Sequence, residues 1–295
     1  MPNVLNYAAA YQAALAQAYP YVLHFAALRS TENDGRYKWT GAKTIEIPSL
    51  STTGRVDGSR DTIGTASRNF DNAWEPKTLT NHRKWSTLVH PMDIDETNHV
   101  ASIQNITKVF NEEQKFPEMD AYMVSKIFSD WGAAGGSNDN EALTIDSILP
   151  KFDEWMEAMD EGNVPTSGRI LYLRPAINTL LKQAVEKYRV IQNGDAAVKR
   201  AIQSLDDVQI EKVPSTLMKT IYDFTEGWKA GAGAKQVNAL LIHPSSVITP
   251  EKYAFAQLEA PSALSEGKYV YFEESYDDVF VLNKRKNAIQ FNTEA

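Results

Sequence analysis

One run of helical periodicity constrains the fold more than any other feature of this chain. Apolar residues at helical spacing extend from Thr97 to Trp131, and Gly132, Gly135 and Gly136 then end the pattern. A continuous helix over this range would be roughly 50 Å long at 1.5 Å per residue. Ordinary globular helices are much shorter. The pattern therefore predicts a rod, with Asp95 or Thr97 as its N-terminal cap.

A proline interrupts this helical pattern in the stretch FPEMDAYMVSKIF, residues 116–128. Pro117 should bend the rod or break it into two separate helices, because an interior proline removes one hydrogen bond and costs roughly 3 kcal/mol. Glu118 and Asp120 follow, but residues two apart on a helix do not share a face. These two carboxylates are therefore not expected to act on one substrate atom.

A long polar segment lies between two predicted strands. Residues 39–48 alternate in the manner of a strand, residues 84–89 are predicted to return as its partner, and residues 49–72 hold few large apolar side chains. Eight basic and seven acidic residues are mixed between Lys38 and Asp95. A long loop without its own core is uncommon in a compact domain. The mixture of charges favours a hairpin that pairs with another surface.

Composition excludes several classes of protein. The 295 residues include no cysteine, so no disulfide, thiolate metal site or cysteine nucleophile is available. The first 28 residues hold no Lys or Arg, which argues against a secretory signal, and no apolar run reaches the 18 residues of a membrane span. We therefore expect a soluble protein made in the cytosol. No basic, aromatic-rich patch indicates direct nucleic-acid recognition.

The net charge of −8 is concentrated in one segment. Residues 132–164 hold eight acidic side chains and one lysine, which gives a local balance of −7. We interpret this segment as the solvated face of a helix; the alternative is a site for a partner.

The remaining elements follow an α+β order. Residues 3–19 predict an amphipathic N-terminal helix that ends near Pro20. The segment VPTSGRILYLRP predicts a loop and strand leading into a helix near residues 177–188, and VNALLIHPSSVI predicts another strand. The C-terminal residues 268–291 alternate like two or three antiparallel strands with a turn near Lys286. Regular βαβ alternation is absent.

The strongest enzymatic pattern is DIDET at residues 93–97. It matches the D-x-D-x-T motif of haloacid-dehalogenase-like phosphatases, in which the first aspartate attacks phosphorus and the second acts as acid and base. That motif follows an uninterrupted apolar strand, whereas TLVHPM precedes it here. Helix capping by Asp93 or Asp95 is the simpler interpretation.

Other catalytic and metal-binding patterns are weaker. GWKAGAGAK, residues 227–235, satisfies no phosphate-loop pattern, and the five histidines lack metal-ligand spacing. We therefore predict that the chain is not an enzyme and that it holds no cofactor or metal.

Several segments resemble, in order, those of tailed-bacteriophage major capsid proteins. They are GAKTIEIPSLSTTG, DIDETNHVASIQNITKVFNEEQKFPEMDAYMVSKI, VPTSGRILYLRP, NALLIHPSSVI and SYDDVFVLNKRKNAI. The similarity covers residues 41–289, and its more specific parts are DETN and FPEMDAY.

The resemblance implies the α+β fold of that family. Five regions would follow along the chain: an N-terminal arm with a helix (1–37), an E-loop hairpin (38–92), the spine helix and following acidic helix of the peripheral or P-domain (93–164), an α/β axial or A-domain (165–260), and C-terminal strands returning to an antiparallel P-domain sheet (261–295).

The resemblance also implies roles for particular residues. The E-loop would lie over a neighbouring subunit and bring charged side chains to it, namely Arg55, Asp57, Arg60, Asp61 and Arg68. The spine-helix residues Pro117, Glu118, Asp120 and Tyr122 would have structural roles.

The implied function is that of a major capsid protein, which assembles through pentamers and hexamers into an icosahedral shell around phage DNA. Assembly would take place in the bacterial host cytoplasm. The partners would be other copies, a portal and decoration proteins. Because the E-loop begins within forty residues of Met1, the resemblance implies a separate scaffolding protein or none. The N-terminal arm would lie on a neighbouring subunit. The alternatives are an encapsulin-like cellular shell and a phosphatase that uses Asp93 and Asp95.

Overall fold

The computed structural model describes residues 21–29, 31, 35–58, 60, 68–97, 102–192 and 204–295. The N-terminal helix predicted for residues 3–19 lies outside these residues. The helical segments are α1 (Ala26–Arg29), α2 (Pro91–Glu96), α3 (Ile103–Phe110), a π-helical segment (Asn111–Lys115), α4 (Phe116–Ala133), α5 (Ile148–Glu161), α6 (Pro175–Gln192) and short 3-10 turns at Ser215–Leu217, Pro244–Ser246 and Asn283–Ala288. The strands are β1 (Lys38–Trp39), β2 (Thr44–Thr52), β3 (Phe70–Thr78), β4 (His82–Val89), β5 (Ile170–Leu173), β6 (Ser204–Leu205), β7 (Val208–Lys212), β8 (Tyr222–Asp223), β9 (Lys229–Ala230), β10 (Val237–Ile242), β11 (Val247–Ile248), β12 (Glu251–Glu259), β13 (Tyr269–Asp277), β14 (Phe280–Val281) and β15 (Ile289–Thr293).

A five-stranded sheet of order β15-β10-β5-β7-β6 forms the centre of the subunit. Its β5–β7 pair is parallel and joined through α6, and its other pairs are antiparallel. Every residue of β5 and β10 is buried, because helices cover both faces of the sheet. Helix α4 packs on one face, and α5 with α6 packs on the other. The fold is therefore α+β, as predicted.

Helical backbone is continuous from Ile103 to Ala133, a length of about 45 Å. The alternative of two separate helices is wrong. Pro117 directly follows a π-helical turn in which the Phe116 amide donates to the Asn111 carbonyl, five residues back. This wider turn accommodates the proline ring without breaking the rod.

The predicted N-terminal cap of the long helix is wrong, because the helix begins later. Ser102 caps it and accepts from the Asn105 amide at 3.4 Å. Thr97 instead ends the short helix α2, where its amide donates to the Asp93 carbonyl. The glycine stop is confirmed. A Cβ added to Gly136 would lie 2.2 Å from the Trp131 ring, so only glycine fits there.

Two three-stranded antiparallel sheets, β1-β2-β3 and β12-β13-β4, extend from this body. The prediction that residues 84–89 return beside the first hairpin strand is wrong: β3 is the partner of β2, and β4 pairs with β13. The C-terminal strands also separate. The β13 strand lies in the second sheet, whereas β15 pairs with β10 at the edge of the central sheet.

Candidate assembly surface

The outer half of the β2–β3 hairpin projects from the subunit as a ladder whose described residues are uncovered on both faces. The register of the whole hairpin runs without a shift from Thr44 opposite Thr78 to Thr52 opposite Phe70, a length of about 30 Å. Leu50, Phe70 and Trp74 are 62%, 53% and 47% exposed, although all three are large and apolar. Since an isolated two-stranded hairpin is only marginally stable, this ladder needs another surface.

Within the described part of the hairpin, the contacts with the rest of the subunit lie at its root. Ile45 is fully buried in a small apolar cluster beneath the hairpin. The turn at residues 283–288 contacts both strands: the Asn283 side-chain Nδ2 donates to the Glu75 carboxylate at 2.8 Å, and the Lys284 ammonium donates to the Leu50 carbonyl at 2.8 Å. The outer half, from Leu50 to Asn72, is exposed in all its described residues.

Two prolines lie within the hairpin without breaking its ladder. The Thr53 amide donates to Asn69 and the Leu79 amide to Lys43, so the odd-numbered residues of β2 form the hydrogen-bonded pairs. Pro48 and Pro76 occupy the alternate positions, whose amides would point outward. Each proline therefore removes a donor from an outer edge and leaves the ladder between the strands complete.

The predicted tip residues lie at the far end of this hairpin. Arg55, Asp57 and Arg60 are exposed, and the described part of the chain offers them no ion-pair partner. Arg68 folds back over the Phe70 ring at 4.9 Å and donates to the Phe70 carbonyl. Asp61 lies outside the described residues. Arg55, Asp57 and Arg60 are thus exposed to solvent in the described part of the chain.

Asp120 on the long helix is fully buried and anchors the N-terminal part of the described chain. Its carboxylate accepts from the Tyr21 hydroxyl at 2.6 Å and from the amides of His24 and Phe25 at 2.9 and 3.4 Å. Burial raises the pKa of Asp120, while these three donors oppose the shift. The carboxylate is therefore an internal structural anchor.

Glu118 and Tyr122 bind two other segments. Glu118 accepts from the Arg83 guanidinium of β4 at 2.5 Å, and the Tyr122 hydroxyl donates to Asp278 at 2.7 Å. Asp278 also accepts from the amide and hydroxyl of Thr80, so it joins the helix to the end of β13 and to the turn before β4. Burial, and then the negative charge of Asp278, raises the pKa of Tyr122.

Glu118 and Asp120 thus face different partners, as the helical spacing predicts. Sequence analysis missed Tyr21, Arg83 and Asp278, which complete these contacts. Only Asp278 carries a local signal, since an aspartate after a long strand is typical of a turn.

Five of the eight acidic residues of this segment form the exposed face of α5, as predicted, and the other three precede the helix. Ile148, Phe152, Trp155 and Met159 are buried at helical spacing, while the acidic side chains face outward. The Lys151 ammonium lies 2.7 Å from Glu141, 2.8 Å from Glu154 and 3.8 Å from Asp139. Part of the acidic charge is therefore neutralised within the subunit.

The DIDET segment does not have the geometry of a phosphatase site. Asp93 and Asp95 are exposed on the short helix α2, and the preceding strand β4 is an edge strand in an antiparallel sheet. Within the described residues, no group of three or more His, Asp or Glu side chains could hold a metal ion. No helix of that part of the chain has the length and apolarity to cross a membrane.

Comparison with solved structures identifies the fold. The chain is similar to a protein in the asymmetric unit of the bacteriophage PhiM1 mature capsid, with a TM-score of 0.69 at 12% identity over 94% of this chain and 88% of the other. It is also similar to a protein in the capsid of cyanophage P-SCSP1u (TM-score 0.65, 13% identity, 94% and 90% covered) and to one in the head of Helicobacter pylori bacteriophage KHP40 (0.62, 10%, 94% and 93%). No family model and no curated protein matches the sequence. The chain thus has the fold of tailed-phage major capsid proteins, which confirms the predicted fold.

Proposed function

We propose that this chain is the major capsid protein of a tailed bacteriophage. Its copies assemble through pentamers and hexamers into an icosahedral shell that encloses the phage DNA. The likeness to three phage shells over nearly the whole chain supports this function. The observation that carries it is the hairpin, which is fixed at its root and bare on both faces beyond Leu50.

In this proposal the named residues have structural roles. Arg55, Asp57, Arg60, Asp61 and Arg68 reach an adjacent subunit. Pro117, Glu118, Asp120 and Tyr122 hold the long helix in its own subunit, and no residue is catalytic. A separate scaffolding protein, a portal and decoration proteins are the proposed partners. Shells form in the bacterial host cytoplasm and become the virion capsid.

Electron microscopy of the expressed chain tests the proposal, with and without a candidate scaffolding protein. We expect shells, tubes, sheets or capsomers, because contact with other copies would cover the exposed hairpin. A monomer that persists at high concentration under both conditions contradicts the proposal. Nucleic acid inside particles isolated from infected cells distinguishes a phage shell from a cellular shell that holds cargo enzymes.

A further inference from the structure

A cleft of about 740 Å³ lies between the long helix and the β12-β13-β4 sheet. Its apolar surface comes from Trp85, Ala254 and Ala256 on the sheet and from Phe110, Phe116 and Met119 on the helix. Trp85 and Phe110 stack at 3.8 Å with their rings nearly parallel. These side chains are incompletely buried in the described chain. The cleft can therefore accept further apolar groups.

Most charged groups that face the cleft are already paired with one another, whereas Lys84 and Glu251 at its margin are exposed and have no ion pair among the described residues. Arg83 lies 2.5 Å from Glu118, and the Lys115 ammonium lies 3.1 Å from Glu273. A charged occupant would lose its hydration and find little free opposite charge. The Arg29 Nε donor at this cleft is buried and has no acceptor among the described residues. The cleft thus suits an uncharged segment with some polar side chains.

Residues 1–20 are such a segment. They include no Asp, Glu, Lys, Arg or His, and their apolar positions Val4, Ala8, Tyr11, Leu15 and Ala18 follow helical spacing. Glutamines at positions 12 and 17 and three tyrosines offer acceptors. A segment without charge and with a continuous apolar stripe gains stability by covering that stripe.

The described chain begins beside this cleft. Tyr21 donates to Asp120 and stacks on Phe116, and Phe116 is one of the residues that line the cleft. Pro20 lies between Tyr21 and the predicted helix, where it allows the chain to turn. A helix over residues 3–19 would be about 25 Å long, which matches the strands of the sheet.

We propose that residues 1–20 dock as an amphipathic helix in this cleft of their own subunit. The hairpin tip of a second copy is the main competitor. It is disfavoured because its Arg and Asp side chains would be buried where most of the described cations and anions are already paired. This docking would take place within a single subunit and does not require that shells form.

Cross-linking tests this inference directly, because the chain contains no cysteine of its own. Ala8→Cys and Ala18→Cys are each combined with Ala254→Cys, which faces the cleft, and treated with a flexible bis-maleimide. Ser86→Cys replaces Ala254→Cys in the control, since Ser86 lies on the opposite face of the same sheet. Equal mixtures of isotopically heavy and light chains distinguish links within one chain from links between two.

We expect light–light and heavy–heavy links with Ala254→Cys for at least one of the two positions, and a much lower yield with Ser86→Cys. Heavy–light links would assign the segment to a neighbouring subunit and overturn the proposal. Equal yields for Ala254→Cys and Ser86→Cys would also overturn it.

Limited chymotrypsin digestion gives a second measure without cysteines. Leu15→Asp places a charge on the apolar stripe, whereas Gln17→Asp places the same charge on the opposite face of the predicted helix. Cleavage after Tyr7 and Tyr11 should be about tenfold faster in Leu15→Asp, the equivalent of about 1.4 kcal/mol of docking free energy, and nearly unchanged in Gln17→Asp. Equal acceleration in both variants contradicts docking through the apolar stripe.

Discussion

The long helix and the β2–β3 hairpin are both extended elements, but they differ in what stabilises them. Helix α4 buries one face on the central sheet and places Asp120 and Tyr122 in hydrogen bonds within the subunit. The hairpin beyond Leu50 exposes both faces. Elongation alone therefore does not identify an assembly element. The contrast separates residues that maintain the subunit from residues available to other copies.

Shortening the hairpin should have the largest effect. Ser51 and Asp71 form a hydrogen-bonded pair, so an Asn-Gly turn can join them in place of residues 52–70. The described residues among those removed are all exposed, so the melting temperature of the subunit should be almost unchanged. Assembly should fail completely. Circular-dichroism melting and negative-stain microscopy on one preparation measure both properties.

Normal shells from the shortened chain would contradict the role of the hairpin between subunits. An unfolded subunit would show instead that the tip stabilises its own core.

Asp120→Ala should destabilise the subunit, whereas shortening the hairpin should leave its stability almost unchanged. It leaves the Tyr21 hydroxyl and two amides without their acceptor, at a cost of about 3 kcal/mol in the free energy of unfolding. Urea denaturation of unassembled subunits measures the loss. Asp95→Ala is the matched control, because Asp95 is exposed, and should change stability by less than about 0.5 kcal/mol. Similar losses of unfolding free energy in the two variants would contradict the role of Asp120 as a structural anchor.

The pH dependence of stability should also report on Asp120. Burial raises its pKa in the folded chain above the unfolded value of about 3.9. The folded state then binds the proton more strongly, so the contribution of Asp120 to stability falls as pH rises from about 4 through the folded-state pKa. Asp120→Asn should remove this fall, whereas Asp95→Asn should not. Urea midpoints measured across this window decide the comparison, and identical slopes for all three proteins contradict it.

Charge removal at the hairpin tip should have a smaller effect on assembly. Arg55→Gln with Arg60→Gln should weaken assembly by about 0 to 1 kcal/mol for each pair lost. Salt should weaken assembly of the parent chain in the same direction, because exposed pairs are screened over roughly 10 Å at 0.1 M. Light scattering against salt concentration gives the comparison. An unchanged salt dependence in the double variant would show that these arginines make no intersubunit pairs.

Pro117→Ala should have the smallest effect. The π-helical turn before Pro117 already relieves the ring clash, so the usual penalty of roughly 3 kcal/mol is largely absent. We expect a change in unfolding free energy below about 1 kcal/mol, because the variant also loses the packing of a buried ring. Subunit melting and particle diameter measure the two consequences. A stabilisation near 3 kcal/mol would show that the turn leaves the proline strained.

The sequence predicts those elements that follow a simple repeat. Long helical periodicity predicts the rod, and alternation predicts β2. The apolar runs of β5 and β10, interrupted only by Asn238, predict strands.

Strand pairing is less predictable, because alternation specifies a strand but not its partner. Residues 70–78 are mostly polar and include Pro76, so they show no strand pattern. The sequence therefore favours residues 84–89 as the returning strand. The edge strand β12 has nine exposed residues and no inward face to produce a pattern. The contacts of Asp120, Glu118 and Tyr122 join residues from 35 to 156 positions apart, which no local spacing reveals.

The two prolines of the hairpin have a consequence for the accuracy of assembly. Pro48 and Pro76 each remove one amide donor from an outer edge, which interrupts any ladder that a neighbouring hairpin could form along that edge. We expect contacts at this surface to depend more on side chains, whose individual energies are small enough for a misplaced subunit to dissociate. We expect such reversibility to let errors be corrected before the lattice closes, whereas an unbroken edge would favour irreversible aggregates.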